Sequence, residues 1–257
     1  MSKASRLLVL QLFLCAEYSN CSERVASLQG EPVVKKKYSL KQYKTRRNLK
    51  KSGEPSGGKA SEGKDKIFVI QEHNASHLHF DFRIEVDGVL VSWAIPKGPS
   101  LDPDIKRLAA QTDDHPMNYA NFEGVIKEGY GAGQVIVWDK GTYKNVRTIS
   151  MKKSLDEGKV EIFLKGQKLQ GAFALIKTHF KGAKNSWLFF KMKDEYADAR
   201  RNIIKSEPES IISGKTIDDL AKEQDDVVRR PKTVSPKVSS TKKKVKKAKK
   251  STSKVAK

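Results

Sequence analysis

Three of the chain's five histidines fall in one short stretch, QEHNASHLHFDFRIEVDG, residues 71–88. From residue 77 to 87 it alternates polar and apolar side chains, the period of a β-strand. In a strand, residues i, i+2 and i+4 share a face, about 6.6–6.8 Å apart per step. His79, Asp81 and Arg83 therefore line up in that order. Two ligands at i and i+2 can grip one metal ion, and His73 is the near candidate for a third. Two imidazoles and a carboxylate with coordination positions left open suit a divalent first-row metal such as Mn, Fe or Zn. Arg83 beside them is a ready clamp for an oxyanion. A sheet with one solvated face gives the same alternation, so spacing alone leaves a solvated face and a metal site both open. On either reading Glu85 and Asp87 are the solvated end of the strand.

Downstream, His115 sits in TDDHPMNYANFEG, a loop-like stretch. A loop histidine can protonate a leaving alkoxide, or simply be hydrogen-bonded within a turn. The run EGYGAG (128–133) lets backbone approach a phosphate, though a hairpin loop is the default. Asp113 and Asp114 can extend a metal site, but solvated loop acids are commoner. His179 is expected to be structural or at the surface. Trp93, Trp138 and Trp187 lie in apolar runs and are expected in the core.

The elements that must position these residues are short β runs separated by turn signals, at 67–70, 77–86, 89–95, 134–139, 141–146, 159–164, 171–178 and 186–192. Asp87-Gly88 joins two of them as a hairpin turn. Such spacing, without βαβ alternation or repeats, predicts an all-β barrel or sandwich. Upstream, KQYKTRRNLKKSGEPSGGKASEGKDK is basic and ends loop-like. Residues 216–224 read as a short helix with Thr216 as its N-cap.

The chain of 257 residues has a net charge of +21, the footprint of a polyanion partner, most often nucleic acid. Residues 229–257 supply 13 Lys or Arg and no acid, which leaves +8 on the rest. From Pro231 onward the composition predicts disorder. The cysteines, Cys15 and Cys21, both lie near the start, so no disulfide framework or thiolate zinc cluster is expected in the body. Lys3 and Arg6 precede an apolar run at 7–16. This reads as a weak signal peptide or presequence, an N-terminal helix, or a mis-assigned start, and it is too short to span a bilayer.

With those residues in view, the chain resembles the 3′-phosphoesterase domain of ligase D, the multi-domain DNA ligase of bacterial end joining. The matching stretches are FVIQEHNASHLHFDFRIEVDGVLVSWAIPKGPSLDP, KRLAAQTDDHPMNYANFEGVI, YGAGQVIVWDKGTY and WLFFKMKDEYA. With a weaker upstream match, the resemblance runs over roughly 43–196. It implies a compact closed β-barrel with short flanking helices that removes 3′-terminal ribonucleosides and 3′-phosphates from DNA ends. Mn²⁺ would be favoured over other first-row metals. By motif, the resemblance implies His73, His79 and Asp81 as metal ligands. Arg83 and His115 become the phosphate-binding and catalytic pair, with Tyr119 and Gln71 beside them. Lys97 and Arg107 match positions used at or near the site. RRNLKKSGEP is similar to the family's Arg-Asp-Phe-x-x-Thr-x-Glu-Pro and adds Arg47 for phosphate and Glu54 for catalysis.

The chain departs from the family at Asn48, where the family has Asp, and Asn cannot act as a carboxylate. Its glycine loop is one residue shorter and lacks the family's proline. His77 stands where the family often has Arg. No polymerase or ligase signature is read, so the domain is expected to stand alone.

The expected organisation is an extension (1–38), the phosphoesterase domain (39–200), a short helical segment (201–230) and a disordered Lys-rich tail (231–257). The expected partners are DNA 3′ ends, some carrying a ribonucleotide, and the end-joining polymerase and ligase, with no membrane. The expected location is the cytoplasm at the nucleoid, or the nucleus or an organelle in a eukaryote. One rival is a non-catalytic DNA-end binding module that recruits a separate ligase or polymerase. A second is an RNA 3′-end processing enzyme.

Overall fold

The structure is a computed structural model that describes residues 38–58, 65–178 and 185–229, with side chains to residue 223. The apolar run at 7–16, both cysteines, His179 and the Lys-rich tail lie outside the described residues. Nine strands are present among them: β1 (Lys66–Asn74), β2 (Leu78–Val86), β3 (Val89–Ile95), β4 (Arg107–Gln111), β5 (Gly124–Ile126), β6 (Gly133–Asn145), β7 (Lys159–Gly166), β8 (Gln170–Lys177) and β9 (Ser186–Lys191). All pairings are antiparallel. The order β1-β2-β3-β4-β9-β8-β7-β6 closes through a β1–β6 pairing, which gives an eight-stranded barrel with β5 added beside β6. Closure removes the sheet edges that would otherwise invite pairing with another chain.

Strand alternation sorts the side chains. Phe80, Phe82 and Ile84 of β2 face inward with Phe68, Ile70, Trp93, Trp138, Phe173, Trp187 and Phe189. The three tryptophans are fully buried, as expected from their apolar runs. Phe173 and Phe189 stack at 5.2 Å, and each fully buried aromatic of this kind contributes about 1.5–3 kcal/mol. A bulge opposite Ile70/Gln71 adds one residue to β6, so Trp138 joins the core while Val137 stays outside beside Gln71.

The outer face of β1–β2–β3 carries a second layer. It consists of α1 (Lys41–Arg46), α2 (Leu49–Ser52) and a 3₁₀ turn (Met117–Asn121). Tyr43, Val69, Leu90, Met117, Tyr119 and Val137 form a small apolar cluster there. Gly53 ends α2 at φ 78°, a left-handed cap that costs glycine nothing, and donates to the Leu49 carbonyl. Backbone bonds between Leu90 and His115 (2.8 and 2.9 Å) staple the 112–116 loop to β3.

Several sequence expectations need correction. The runs at 134–139 and 141–146 are one strand. It passes through Gly141, where a Cβ would lie 2.0 Å from the Lys165 carbonyl oxygen. Strands β4 and β5 were not anticipated, because RLAAQ and GVI are too short for a periodic signal. The upstream basic segment contains α1 and α2, and α3 (Met151–Asp156) follows β6 with Ser150 as its N-cap. The region after β9 holds α4 (Ile203–Ser206) and α5 (Ile217–Arg229). Thr216 and Asp219 cap α5 reciprocally, as the sequence suggested.

The polar face of β2 is not solvated, because the second layer covers it. Glu85 is 0 % exposed. It pairs with Lys66 at 3.1 Å and accepts from the Ile67 N–H at 3.3 Å. Only Asp87, in the hairpin turn, is exposed as expected. Asp113 and Asp114 are also buried: Asp113 binds Arg46 and Arg47, and Asp114 accepts from the Ser39 N–H.

Candidate active site

Register across β1 and β2 builds the centre of the site. His73 lies directly opposite His79, and Gln71 opposite Asp81, all on the outer face. The ligand atoms of His73, His79 and Asp81 lie within 4.8 Å of one another. Backbone carbonyls fix both rings. His73 Nε2 lies 2.8 Å from the Gly131 oxygen and His79 Nδ1 lies 2.9 Å from the His77 oxygen. A carbonyl can only accept, so each neutral ring keeps its proton there. This turns the lone pairs of His73 Nδ1 and His79 Nε2 toward Asp81, at 3.4 and 3.7 Å. Three acceptors then converge with no proton between them, a donor set that fits a divalent cation with oriented outer partners.

Asp81 also joins the triad to a basic pocket. Burial alone would raise its pKa. Against burial act the Arg83 guanidinium first and then the two imidazoles when they present a proton and positive charge to it, and together they hold the carboxyl well below the usual carboxylate range. Arg83 is held by three acceptors and lies against His115, whose Nδ1 proton goes to the Asp113 carbonyl at 2.7 Å. It donates to Gln71 Oε1 (2.8 Å), Ser92 Oγ (2.9 Å) and Asp81 Oδ2 (2.9 Å), and its Nη1 lies 2.8 Å from His115 Nδ1. The Tyr119 ring lies beneath it, 4.8 Å from centroid to guanidinium carbon. Arg47 is held likewise, by Glu54 (3.1 Å), Asp113 (3.5 Å) and the Tyr43 ring (4.4 Å). Its Nη2 lies 3.3 Å from His115 Nε2, so the imidazole sits between two arginines. Burial, then the charges of Arg83 and Arg47, push the His115 pKa well below its ordinary value, and the ring is neutral at pH 7.

These groups open onto one cavity of about 800 Å³. Its walls include Arg47, Glu54, His73, His79, Asp81, Arg83, His115 and Tyr119. Among the described residues, two buried wall atoms have no protein partner: Glu54 Oε2 and Thr112 Oγ1. Buried polar atoms are rarely left so. The Tyr119 hydroxyl donates to the other Glu54 oxygen at 3.1 Å.

Three residues expected at or near the phosphate, Gln71, Lys97 and Arg107, lie outside the cavity walls. Gln71 is fully buried outside the cavity; its amide N–H groups go to the Tyr119 and Phe122 carbonyls and its oxygen to Arg83. Lys97 is exposed beside the mouth, and Arg107 lies on β4 opposite Phe189; neither lines the cavity. Asn48, the departure from the family's Asp, is exposed and also outside the walls. The glycine loop is the β5–β6 hairpin loop, and its contribution to the centre is the Gly131 carbonyl bound to His73. Gly133, at φ 148°, passes so close to Asn74 that a Cβ would lie 2.0 Å from its carbonyl oxygen. Two site residues escaped the sequence reading, Ser92 and Tyr43, and Asp113, read as a solvated loop acid or an extension of a metal site, instead anchors Arg46 and Arg47. Ser92 did leave a signal, as the polar residue within the apolar run VLVSWAI.

A closed antiparallel barrel with a His-His-Asp donor set and two arginines converging on an outer-face cavity defines a class of all-β proteins with a donor set that fits a cation beside a basic pocket. Comparison with known sequences gives the particular family. Residues 71–177, most of the barrel, match the DNA Ligase D 3′-phosphoesterase domain. The chain is 43% identical over 183 residues to the multifunctional non-homologous end joining protein LigD of Pseudomonas aeruginosa, covering 69% of this chain and 22% of that protein. It is 42% identical over 158 residues to the LigD of Mycobacterium tuberculosis, covering 61% and 20%. It is 40% identical over 163 residues to that of Mycolicibacterium smegmatis, covering 61% and 21%. The chain thus spans about a fifth of the length of these relatives. No helix among the described residues is long and apolar enough to cross a membrane.

Proposed function

We propose that the chain is a metal-dependent phosphoesterase that heals DNA 3′ ends during end joining, removing 3′-phosphates and 3′-terminal ribonucleosides. The observation that carries this reading is the Asp81 carboxylate, shared between the histidine pair and Arg83. It sets a cation site and an anion site side by side.

His73, His79 and Asp81 would hold the metal, for which Mn²⁺ is the proposed ion. When bound, it supplies charge neutralisation and polarisation of the phosphoryl group. Arg83 and Arg47, fixed by their partners before substrate arrives, offset charge on the phosphoryl oxygens without reorganising. Phosphate binding between them would cancel the two charges that depress His115. The ring could then take up a proton and deliver it to the leaving oxygen. Glu54, with its free oxygen in the wall, orients the attacking hydroxyl or water, and Tyr119 holds Glu54. Gln71 acts through Arg83 as a positioning residue.

We further propose that the unit carrying this activity is 39–200, with 201–230 as a helical appendage and the Lys-rich residues 231–257 as a sequence-independent contact to nucleic acid. We also propose an end-joining ligase and polymerase as partners and a location at the nucleoid.

The test is release of phosphate from a 3′-phosphorylated DNA primer by the purified chain with Mn²⁺, and its loss on chelation. Full activity in His79→Ala would sink the assignment. Tight binding of ends with no turnover under any metal would favour the binding-module alternative. Parallel RNA primers separate a DNA enzyme from an RNA one.

A further inference from the structure

The lip of the cavity carries an aromatic side chain that the chemistry above does not use. Tyr130 is 56 % exposed, in the β5–β6 loop. Gly129 and Gly131 flank it at φ 92° and 87°, and the Gly131 carbonyl is tied to His73, so the loop presents Tyr130 from a pinned backbone. The Arg47 guanidinium lies 5.3 Å from the Tyr130 ring and 4.4 Å from that of Tyr43. Arg47 thus neighbours both a buried tyrosine and an exposed one, and the Arg46 guanidinium also lies 6.0 Å from the Tyr130 ring.

We propose that Tyr130 is the stacking platform for the terminal nucleobase of the DNA 3′ end, and thus a determinant of end recognition. This rests on the phosphoesterase reading. A phosphate bound at Arg47, Arg83 and His115 leaves its nucleoside at the mouth, one sugar away, beside the ring. Base–aromatic stacking tolerates any sequence, because every base has a π-face, which suits an enzyme that must accept any broken end. Purines, with the larger face, bind more tightly than pyrimidines.

The experiment uses the full chain without metal and two 5′-fluorescein oligonucleotides. One ends in adenosine 3′-phosphate and the other in an abasic 3′-phosphate. Kd is read by anisotropy. In the wild type, loss of the base weakens binding about tenfold. Tyr130→Ala weakens the adenosine end by a similar factor, and loss of the base then costs nothing more. Tyr130→Trp keeps the preference and shows that the loop tolerates substitution. An unchanged Kd in Tyr130→Ala, or equal weakening of both oligonucleotides, overturns the proposal; equal weakening would mean that the ring only shields Arg47. Phosphate release with Mn²⁺ is scored separately. If the wild type releases none, the phosphoesterase reading falls, while the binding cycle still decides the role of Tyr130.

Discussion

The two faces of β2 differ more than their simple alternation suggests. Inward, Phe80, Phe82 and Ile84 touch other apolar side chains, and any well-shaped hydrophobe of similar volume would serve. Outward, Asp81 and Arg83 each answer to several named partners, and Glu85 is bonded although wholly buried. Both faces are largely buried, but for different reasons. The inner face excludes water because nothing there needs it. The outer face, away from the cavity, excludes water because its polar groups are matched to one another, with Glu54 Oε2 and Thr112 Oγ1 as unpartnered exceptions in the cavity wall.

If that division is right, substitutions on the two faces should separate stability from activity. The largest effect is expected for Phe82→Ala, which empties the barrel centre. Urea unfolding should show a loss of about 3–5 kcal/mol, with turnover retained below the melting transition. Next, His79→Ala should reduce phosphate release at least about a hundredfold, equivalent to about 2.7 kcal/mol. Its denaturation midpoint should hardly move, because His79 is only half-buried. If both variants lose stability equally, the two faces are one core and the division fails. A smaller effect is expected for Glu85→Gln, which keeps an acceptor for Ile67 but removes the charge facing Lys66. Because Lys66 can re-enter water, the cost should be about 1–2 kcal/mol by urea unfolding.

The smallest effect is a pH slope. His115 is neutral in the fold, whereas the unfolded chain takes up a proton below about pH 6.5. Unfolding is therefore favoured as pH falls below that value, by at most about 1.4 kcal/mol per unit. Between about pH 6.5 and 5, His115→Gln should show a flatter stability profile than the wild type in thermal melts. An identical slope would mean that the ring is not held neutral.

The inner face was legible in the sequence because large apolar residues at every second position fit a strand with one buried side and little else. The hairpin at Asp87-Gly88 set the β2–β3 register, and the fold class followed. The donor set was half legible. His79 and Asp81 share a face by spacing alone, but His73 joins them only because β1 pairs with β2 so that the two histidines are opposed. What could not be read was burial of the polar face. That depends on Tyr43 and the 3₁₀ turn, which lie 38 residues before and 36 after Asp81 and carry no periodic signal. Gln71 shows the same limit: a polar residue beside the site passes as a ligand contact until its partners are known to be Arg83 and two carbonyls.

The β1–β6 pairing that closes the barrel leaves the strand bearing His73 bonded on both sides, to β2 and to β6. Local opening that releases an edge strand first has no edge here from which to start. The amide protons of Gln71 and His73 should therefore exchange with deuterium among the slowest in the molecule, near the rate of global unfolding. Chemistry that in many proteins sits on mobile loops is anchored here to the part of the chain that lets go last.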